Sequence, residues 1–153
     1  MYVFGGRSSH QQNMMEIFNP KTHKFTIVSR KDCDLGMTSR CGHTMVEYGR
    51  WLLVYGGQRQ QTMVQRKNVR EIQSFDMESL EWKILEQDGL PPPPRRNHSS
   101  FVLGKYMIVV GGVDDLSQTL QDVAFYDIEK HRWVINFKVT GQVEKVSHAA
   151  HQS

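Results

Sequence analysis

Three short apolar runs along the chain each end in a pair of glycines. They are YVFGG at 2–6, LVYGG at 53–57 and IVVGG at 108–112, and each is followed by a polar segment. Before the second and third runs come a shorter apolar stretch and a glycine turn, at Gly49 and Gly104. This pattern predicts two β-hairpins whose second strands are apolar on both faces, so each must be covered on both sides.

A second strand-like run follows each glycine pair and ends in an Asn or Asp. Six residues later, in every copy, stands a large aromatic residue. The Asx side chain can accept backbone N–H bonds across a turn, and the aromatic then begins a further strand and fills the gap between sheets. The three pairs are Asn19 with Phe25, Asp76 with Trp82, and Asp127 with Trp133.

A third element has a basic residue, two spacers and a histidine. It occurs at Arg40 and His43, at Arg95 and His98, and at Lys145 and His148. Each histidine occupies the same place in a repeat, which favours a structural hydrogen-bonding role over a metal site. We expect the two arginines to brace neighbouring repeats.

Three features recur at a period of about 50 residues: the glycine pair, the Asx-x5-aromatic spacing and the R-x-x-H element. The glycine pairs are Gly5–Gly6, Gly56–Gly57 and Gly111–Gly112. Together these features resemble the kelch repeat of β-propellers. The resemblance implies an all-β fold of four-stranded antiparallel blades in an incomplete ring. Strands 2–4 of blade 1 would occupy about 1–29, blade 2 about 42–87 and blade 3 about 96–138, with a further blade starting at 145–153. Asn19, Phe25 and Lys145 depart from the family's Asp, Trp and Arg.

About three blades leave two apolar sheet faces uncovered. At roughly 25 cal/mol per Å², several hundred Å² of such surface would forgo on the order of 10 kcal/mol, which is comparable to a domain's whole stability. We therefore expect the chain to be part of a longer protein, or two copies to associate into a six-bladed ring.

Composition and charge exclude several classes of partner. The formal net charge is +3, with 23% charged and 39% hydrophobic residues, and the cations form no stripe that would suit nucleic acid. No apolar run is long enough to span a membrane, and the opening MYVFGGRSSH has neither the basic region nor the long apolar region of a signal peptide. Cys33 and Cys41 are interpreted as free thiols. We expect no nucleic-acid or membrane partner and an intracellular, cytoplasmic location.

Some kelch propellers are enzymes that bind a metal through a recognisable set of ligands. Galactose oxidase binds copper through tyrosine and histidine, and plant specifier proteins bind iron through carboxylates and histidine; neither constellation occurs here. The segment GRSS after the first glycine pair lacks a Walker lysine and a following helix pattern. We expect no catalytic residue, metal or cofactor. The alternative is a fragment of a kelch enzyme whose active site lies in other blades.

The loops that differ between repeats are the candidate binding surface. The loops between strands 2 and 3, and those between blades, vary in length and charge on a repeated framework, which is where function usually lies. The loop GGQRQQTMVQRKN is the longest of the 2–3 loops and contains no carboxylate. We expect a non-catalytic interaction scaffold or adaptor, working in a larger assembly and binding an acidic peptide or protein surface; the alternative is that these are solvated loop charges. The candidate binding residues are Arg7, Arg59, Arg66, Lys67 and Arg96.

Overall fold

The computed structural model describes residues 1–6, 15–28, 40–60 and 64–138, and these residues form strands and turns. In this part of the chain there is no helix, and hence no helix that could cross a membrane. The strands are β1 (Tyr2–Phe4), β2 (Met15–Asn19), β3 (Lys24–Val28), β4 (Arg40–Cys41), β5 (Thr44–Tyr48), β6 (Trp51–Tyr55), β7 (Gln58–Gln60), β8 (Arg66–Asn68), β9 (Ile72–Asp76), β10 (Trp82–Leu85), β11 (Asp88–Gly89), β12 (Ser99–Leu103), β13 (Tyr106–Val110), β14 (Asp122–Asp127) and β15 (Arg132–Lys138).

Three repeated sheets follow one another along the chain. Sheet 1 has the order β1-β2-β3, sheet 2 has β10-β9-β6-β5, and sheet 3 has β15-β14-β13-β12. All pairs within these orders are antiparallel, which confirms the all-β antiparallel prediction. One addition was not foreseen: the two-residue β11 lies parallel to the edge strand β15 and makes sheet 3 five-stranded.

The sequence predicts a loop after the second glycine pair, but the structure has two paired strands there, which form a hairpin. β7 pairs with β8 from Gln58 opposite Asn68 to Gln60 opposite Arg66. On its other edge β7 pairs with β4, with Arg40 opposite Arg59. We call these three strands the side sheet. Because its strands are polar on both faces, the apolar alternation that marks a strand in sequence is missing there.

Two apolar cores fill the gaps between the repeated sheets. The run Trp51–Tyr55 supplies both, because alternate side chains of a strand point to opposite faces. The core between sheets 1 and 2 contains Phe4, Met15, Leu52, Val54 and Phe75. The core between sheets 2 and 3 contains Leu53, Tyr55, Ile72, Leu85, Met107, Val109, Ala124, Tyr126, Ile128 and Trp133.

Two of the three repeated aromatics fill these gaps as expected. The Trp82 ring lies 4.8 Å from Phe4 across the gap between sheets 1 and 2, and the Trp133 ring lies 5.5 Å from Tyr55 across the next. Phe25 differs, since 57% of its side chain is exposed. Its partner in register is Phe18, on the face of sheet 1 turned away from sheet 2, where the described residues provide no neighbouring sheet.

In the two R-x-x-H elements that the structure describes, the histidine sits between two glycine pairs. A Cβ on Gly5 of sheet 1 would lie 2.7 Å from the His43 ring, and a Cβ on Gly57 would lie 2.8 Å from the His43 Cβ. The main chain closes the same contact, because the Gly6 N–H donates to the Arg40 carbonyl at 3.0 Å. We call this contact the first seam; it joins sheet 1 to sheet 2.

The second seam repeats this geometry between sheets 2 and 3. His98 lies 2.6 Å from where a Cβ on Gly56 would be and 2.9 Å from one on Gly112. The Gly57 N–H donates to the Arg95 carbonyl at 2.8 Å. The Thr44 hydroxyl adds a bond to His98 Nε2 at 2.9 Å. Only glycine allows the neighbouring backbone to come this close.

The arginine side chains fasten each R-x-x-H element to its own sheet. The Arg95 guanidinium is fully buried, donates to the Gly111 carbonyl at 2.8 Å, and binds both carboxylate oxygens of Asp122 at 2.5 and 2.7 Å. Arg40 makes the weaker equivalent, with the Gly56 carbonyl at 3.1 Å and Glu71 at 3.4 Å. Each arginine thus contacts the preceding sheet through its carbonyl and its own sheet through its side chain.

The Asx residues lie at the opposite end of the sheets from the glycine pairs, and they cap turns. In each case the side-chain Oδ1 accepts a hydrogen bond from the N–H two residues later. The three bonds join Asn19 to Lys21, Asp76 to Glu78 and Asp127 to Glu129. Cations from the preceding hairpin turn add to two of them: Arg50 binds Asp76, and Lys105 binds Asp127 at 3.2 Å. Their carboxylates are therefore structural.

The glycine seams can be tested with one matched pair of substitutions. Gly56 and Gly104 have similar positive φ values, 67° and 60°, but a Cβ on Gly104 would meet nothing within 4 Å. We expect Gly104→Ala to lower the free energy of unfolding by about 1–2 kcal/mol, the cost of left-handed backbone alone. Gly56→Ala should cost at least about 2 kcal/mol more, because its methyl group overlaps His98 and the Arg95 carbonyl. Urea unfolding measures both, and equal losses would contradict the seam.

Candidate functional site

The glycine-pair end of the sheets carries a cavity of about 290 Å³, which we call the basic groove. Its lining residues come from the side sheet, from the segment leading into β9 and from the linker before sheet 3. They are Arg59, Lys67, Asn68, Val69, Arg70, Glu71 and Pro94. Three of these side chains are cationic and one is a carboxylate.

Backbone pairing fixes the cations of the side sheet in the basic groove. Arg59 of β7 and Lys67 of β8 are direct cross-strand partners, so both side chains lie on one face of the hairpin. Asn68 ties the base of the hairpin to sheet 3: its N–H donates to Asp115 Oδ1 at 2.8 Å, and its Nδ2 donates to the Val113 carbonyl at 3.1 Å. The groove therefore has a preformed wall.

The carboxylate of the basic groove is already bound within the fold. Glu71 accepts a hydrogen bond from the buried Arg40 at 3.4 Å and pairs with Arg59 at 3.5 Å. The hairpin sequence contains no carboxylate, yet Glu71 directly after it partly neutralises Arg59, which the sequence analysis did not foresee. Because Glu71 also balances Arg40, the positive charge of Lys67 and Arg70 is left facing the groove.

The other candidate binding residues fall into different places. Arg66 is exposed on β8, with Nη1 3.9 Å from Cys41 Sγ. Arg96 is engaged in holding a loop of sheet 3, since it donates to the Asp114 carbonyl at 3.0 Å and lies 3.4 Å from Ser117 Oγ. Arg7 lies outside the described residues. The structure thus brings Arg59 and Lys67 into one groove and places Arg66 beside it and Arg96 in the adjoining loop.

Sequence reasoning missed Arg70 and Glu71 as lining residues. One signal could have identified Glu71: a carboxylate stands five residues before the Asp of the turn in two repeats, as Glu71 before Asp76 and Asp122 before Asp127. In both repeats that carboxylate binds the arginine of the R-x-x-H element.

The repeated histidines do not converge on one site. His43 and His98 lie in different seams, and His148 is outside the described residues. Within residues 1–6, 15–28, 40–60 and 64–138, no group of three or more His, Cys, Asp or Glu side chains could hold a metal ion. His43 and His98 are instead packing residues, with rings 5.5 Å from Phe4 and 5.2 Å from Tyr55.

Burial changes the acid–base behaviour of both histidines. Burial, with the adjacent Arg40 guanidinium, lowers the pKa of His43 to about 4. Burial and then Arg95 lower the pKa of His98 to about 4 in the same way. Both rings are therefore neutral at pH 7, because burial and a neighbouring positive charge both disfavour the charged form of histidine.

Comparison with known proteins gives a family match over the whole chain. The model of the KLHDC2/KLHL20/DRC7 Kelch-repeats domain matches residues 1–153. Among the curated relatives, Leucine-zipper-like transcriptional regulator 1 homolog of Drosophila melanogaster is 34% identical over 125 residues, 76% of this chain. Dynein regulatory complex subunit 7 of Chlamydomonas reinhardtii is 30% identical over 96 residues, 61% of this chain. Multiple epidermal growth factor-like domains protein 8 of Mus musculus is 31% identical over 153 residues, 88% of this chain.

The matched region is a small part of each relative. It covers 12%, 8% and 5% of these three proteins respectively. The similarity therefore concerns the kelch repeats, and not the remaining parts of the relatives.

The lowered pKa values predict a loss of stability in mild acid. Below pH 6.5 the unfolded chain protonates His43 and His98, while the folded chain does so only near pH 4. The contribution of the two neutral rings to the free energy of unfolding should thus be fully present above pH 6.5. As the pH falls from 6.5 to 4, this contribution should be lost, by about 1.4 kcal/mol per unit of pKa shift for each ring. Urea unfolding at a series of pH values measures this slope.

Two variants separate this effect from that of the carboxylates. The hydrogen bond from Arg50 lowers the pKa of Asp76 to about 2, so its contribution is lost only below pH 3.8. Asp76→Asn should therefore keep the slope between pH 6.5 and 4, whereas His98→Gln should reduce it by about half. A wild-type stability that is flat across this window would show that the seams tolerate charged histidine.

Proposed function

The chain belongs to the kelch-repeat family, and from this premise we propose that it is a non-catalytic protein-interaction scaffold whose glycine-pair end binds an acidic segment of another protein. The observation that carries the proposal is the basic groove. It combines a preformed wall, three cationic side chains and a carboxylate that is already paired.

The chemistry of the basic groove suits carboxylate ligands. An arginine guanidinium offers a planar fork of donors that matches a carboxylate, and Lys67 supplies a point charge beside it. A volume of about 290 Å³ is small for a cofactor site and accommodates one or two side chains of a bound peptide. An Asp or Glu entering the groove would meet Lys67 and Arg70, which are both exposed residues.

The comparisons support the coarser part of this proposal. Kelch repeats are generally protein-interaction modules, and relatives of this chain are named as a regulator and as a subunit of a regulatory complex. The non-catalytic character is supported by the positions of His43 and His98, which pack in separate seams. The intracellular location expected from Cys33 and Cys41 stays a prediction.

Charge reversal in the basic groove tests the proposal. A random peptide library displayed on phage is selected against the immobilised chain, and we expect the enriched sequences to be rich in Asp and Glu. The double variant Lys67→Glu/Arg70→Glu should bind the enriched peptides at least about tenfold more weakly, because two favourable contacts become repulsive. It should also flatten the salt dependence of the association rate.

The matched control is Lys21→Glu/Lys24→Glu, which changes the net charge equally at the Asx-turn end of sheet 1. This control should change affinity by less than about threefold, and both variants should melt like the parent because exposed positions carry little stability. Enriched peptides without acidic residues would contradict the proposal, as would equal affinity for the parent and the groove variant.

A further inference from the structure

A second cavity of about 390 Å³ opens at the Asx-turn end, on the opposite side of the molecule from the basic groove. It lies between sheets 2 and 3. Its walls are apolar side chains of both sheets: Trp51, Leu53, Leu85 and Ile128. Leu53, Leu85 and Ile128 are buried core residues, whereas 40% of Trp51 is exposed at the mouth. We call this cavity the apolar pocket.

One small residue enlarges the pocket. Two positions before the Asx of the turn, the three repeats have Ile17, Ser74 and Phe125. Ser74 pairs in register with Leu53 and points toward sheet 3, where it lines the pocket. At the first interface Ile17 occupies the equivalent place. A serine instead of a large apolar side chain therefore leaves unfilled space in an otherwise packed interface.

Neither packing nor hydrogen bonding accounts for this serine. Ser74 is 6% exposed, so it does not serve the solubility of the surface. Its hydroxyl reaches the Lys83 carbonyl only at 3.5 Å, the long limit of a hydrogen bond. A buried polar residue with a weak bond, lining an apolar cavity, is what a binding pocket needs and a well-packed core avoids.

A hydrogen bond between sheets 2 and 3 lies at the mouth of the pocket. The Tyr48 hydroxyl of sheet 2 donates to Glu129 of sheet 3 at 3.0 Å. This bond fixes the spacing at the rim and uses the one carboxylate that lines the pocket. Glu129 keeps its negative charge in this bond, but Lys83, exposed on β10, forms no ion pair with any residue that the structure describes, so its ammonium group at the rim is open to a ligand carboxylate.

We propose that the apolar pocket is a second peptide-binding site, which takes one large aliphatic side chain of a partner with a carboxylate beside it, paired to Lys83. The volume accepts a leucine side chain, and the walls gain contacts that the serine leaves unmade. The site uses none of the residues of the basic groove, so each of the two proposed sites can be tested independently of the other.

Short peptides test this site directly, with the Trp51 indole signal in NMR spectra of the ¹⁵N-labelled chain as the reporter. The probe is N-acetyl-Asp-Leu-Asp-amide. We expect a saturable shift of the Trp51 signal, with a dissociation constant on the order of 1 mM, as suits one buried side chain and one charge contact. The Ala analogue should bind at least about tenfold more weakly, and the Lys-Leu-Lys analogue at least about threefold more weakly.

Two variants locate the binding. Ser74→Leu should fill the pocket, abolish the shift and melt no lower than the parent, because it replaces a weakly bonded hydroxyl by apolar packing. Lys83→Glu, at an exposed position, should reverse the preference toward the Lys-Leu-Lys peptide while the pocket stays open. The variant Lys67→Glu/Arg70→Glu should bind the probe as the parent does, which separates this site from the basic groove.

Several results would overturn the site. No saturable Trp51 shift at 10 mM peptide, a concentration about ten times the expected dissociation constant, would exclude it. Equal binding of the Leu and Ala peptides, or unchanged binding to Ser74→Leu, would show that the pocket is not occupied. If the Lys83→Glu variant still prefers the Asp-Leu-Asp peptide, Lys83 does not bind a ligand carboxylate, and that part of the proposal is wrong. Tighter binding of free indole than of the peptide would identify a small-molecule pocket instead.

Discussion

The R-x-x-H elements that begin at Arg40 and Arg95 each fit between two glycine pairs, and the rest of the structure depends on this contact. It brings the Arg40 carbonyl to the Gly6 N–H and the Arg95 carbonyl to the Gly57 N–H, so that adjacent sheets share a main-chain bond at one end. Any Cβ at Gly5 or Gly56 would occupy the place of a histidine ring. Steric exclusion therefore sets the spacing of the sheets, and the apolar cores fill the gaps that this spacing leaves.

The same contact places both candidate binding sites. At the glycine-pair end, the segment leaving the second pair enters the side sheet, whose strand β7 also pairs with the start of the R-x-x-H element of sheet 2, at Arg40. The basic groove thus stands on backbone that the seam already holds. At the opposite end the described residues form no such seam, and the Tyr48–Glu129 bond is one of the contacts that join sheets 2 and 3. A side chain as small as Ser74 can leave a pocket there.

The sequence predicted those parts of the fold that are local and repeated three times. The glycine pairs, the Asx turns and the aromatics six residues on follow from short-range rules, and repetition separated them from chance. The side sheet was missed because Gln58–Gln60 and Arg66–Asn68 have no apolar face. The pairing of Arg59 with Glu71 depends on how the side sheet lies against the segment leading into β9, and the role of Ser74 depends on which face it occupies in the assembled sheet. Such facts arise from tertiary packing and have no local signal.

Native-state hydrogen exchange at the Gly57 amide tests the central role of the seams most directly. This N–H bonds to the Arg95 carbonyl of the following sheet, so it is exposed only when sheets 2 and 3 part. If the seam holds the structure together, Gly57 should exchange with the same opening free energy as the slowest amides of β6, through global unfolding. An opening free energy for Gly57 several kcal/mol below theirs would show that the seam parts while the sheets stay folded, and would contradict the account.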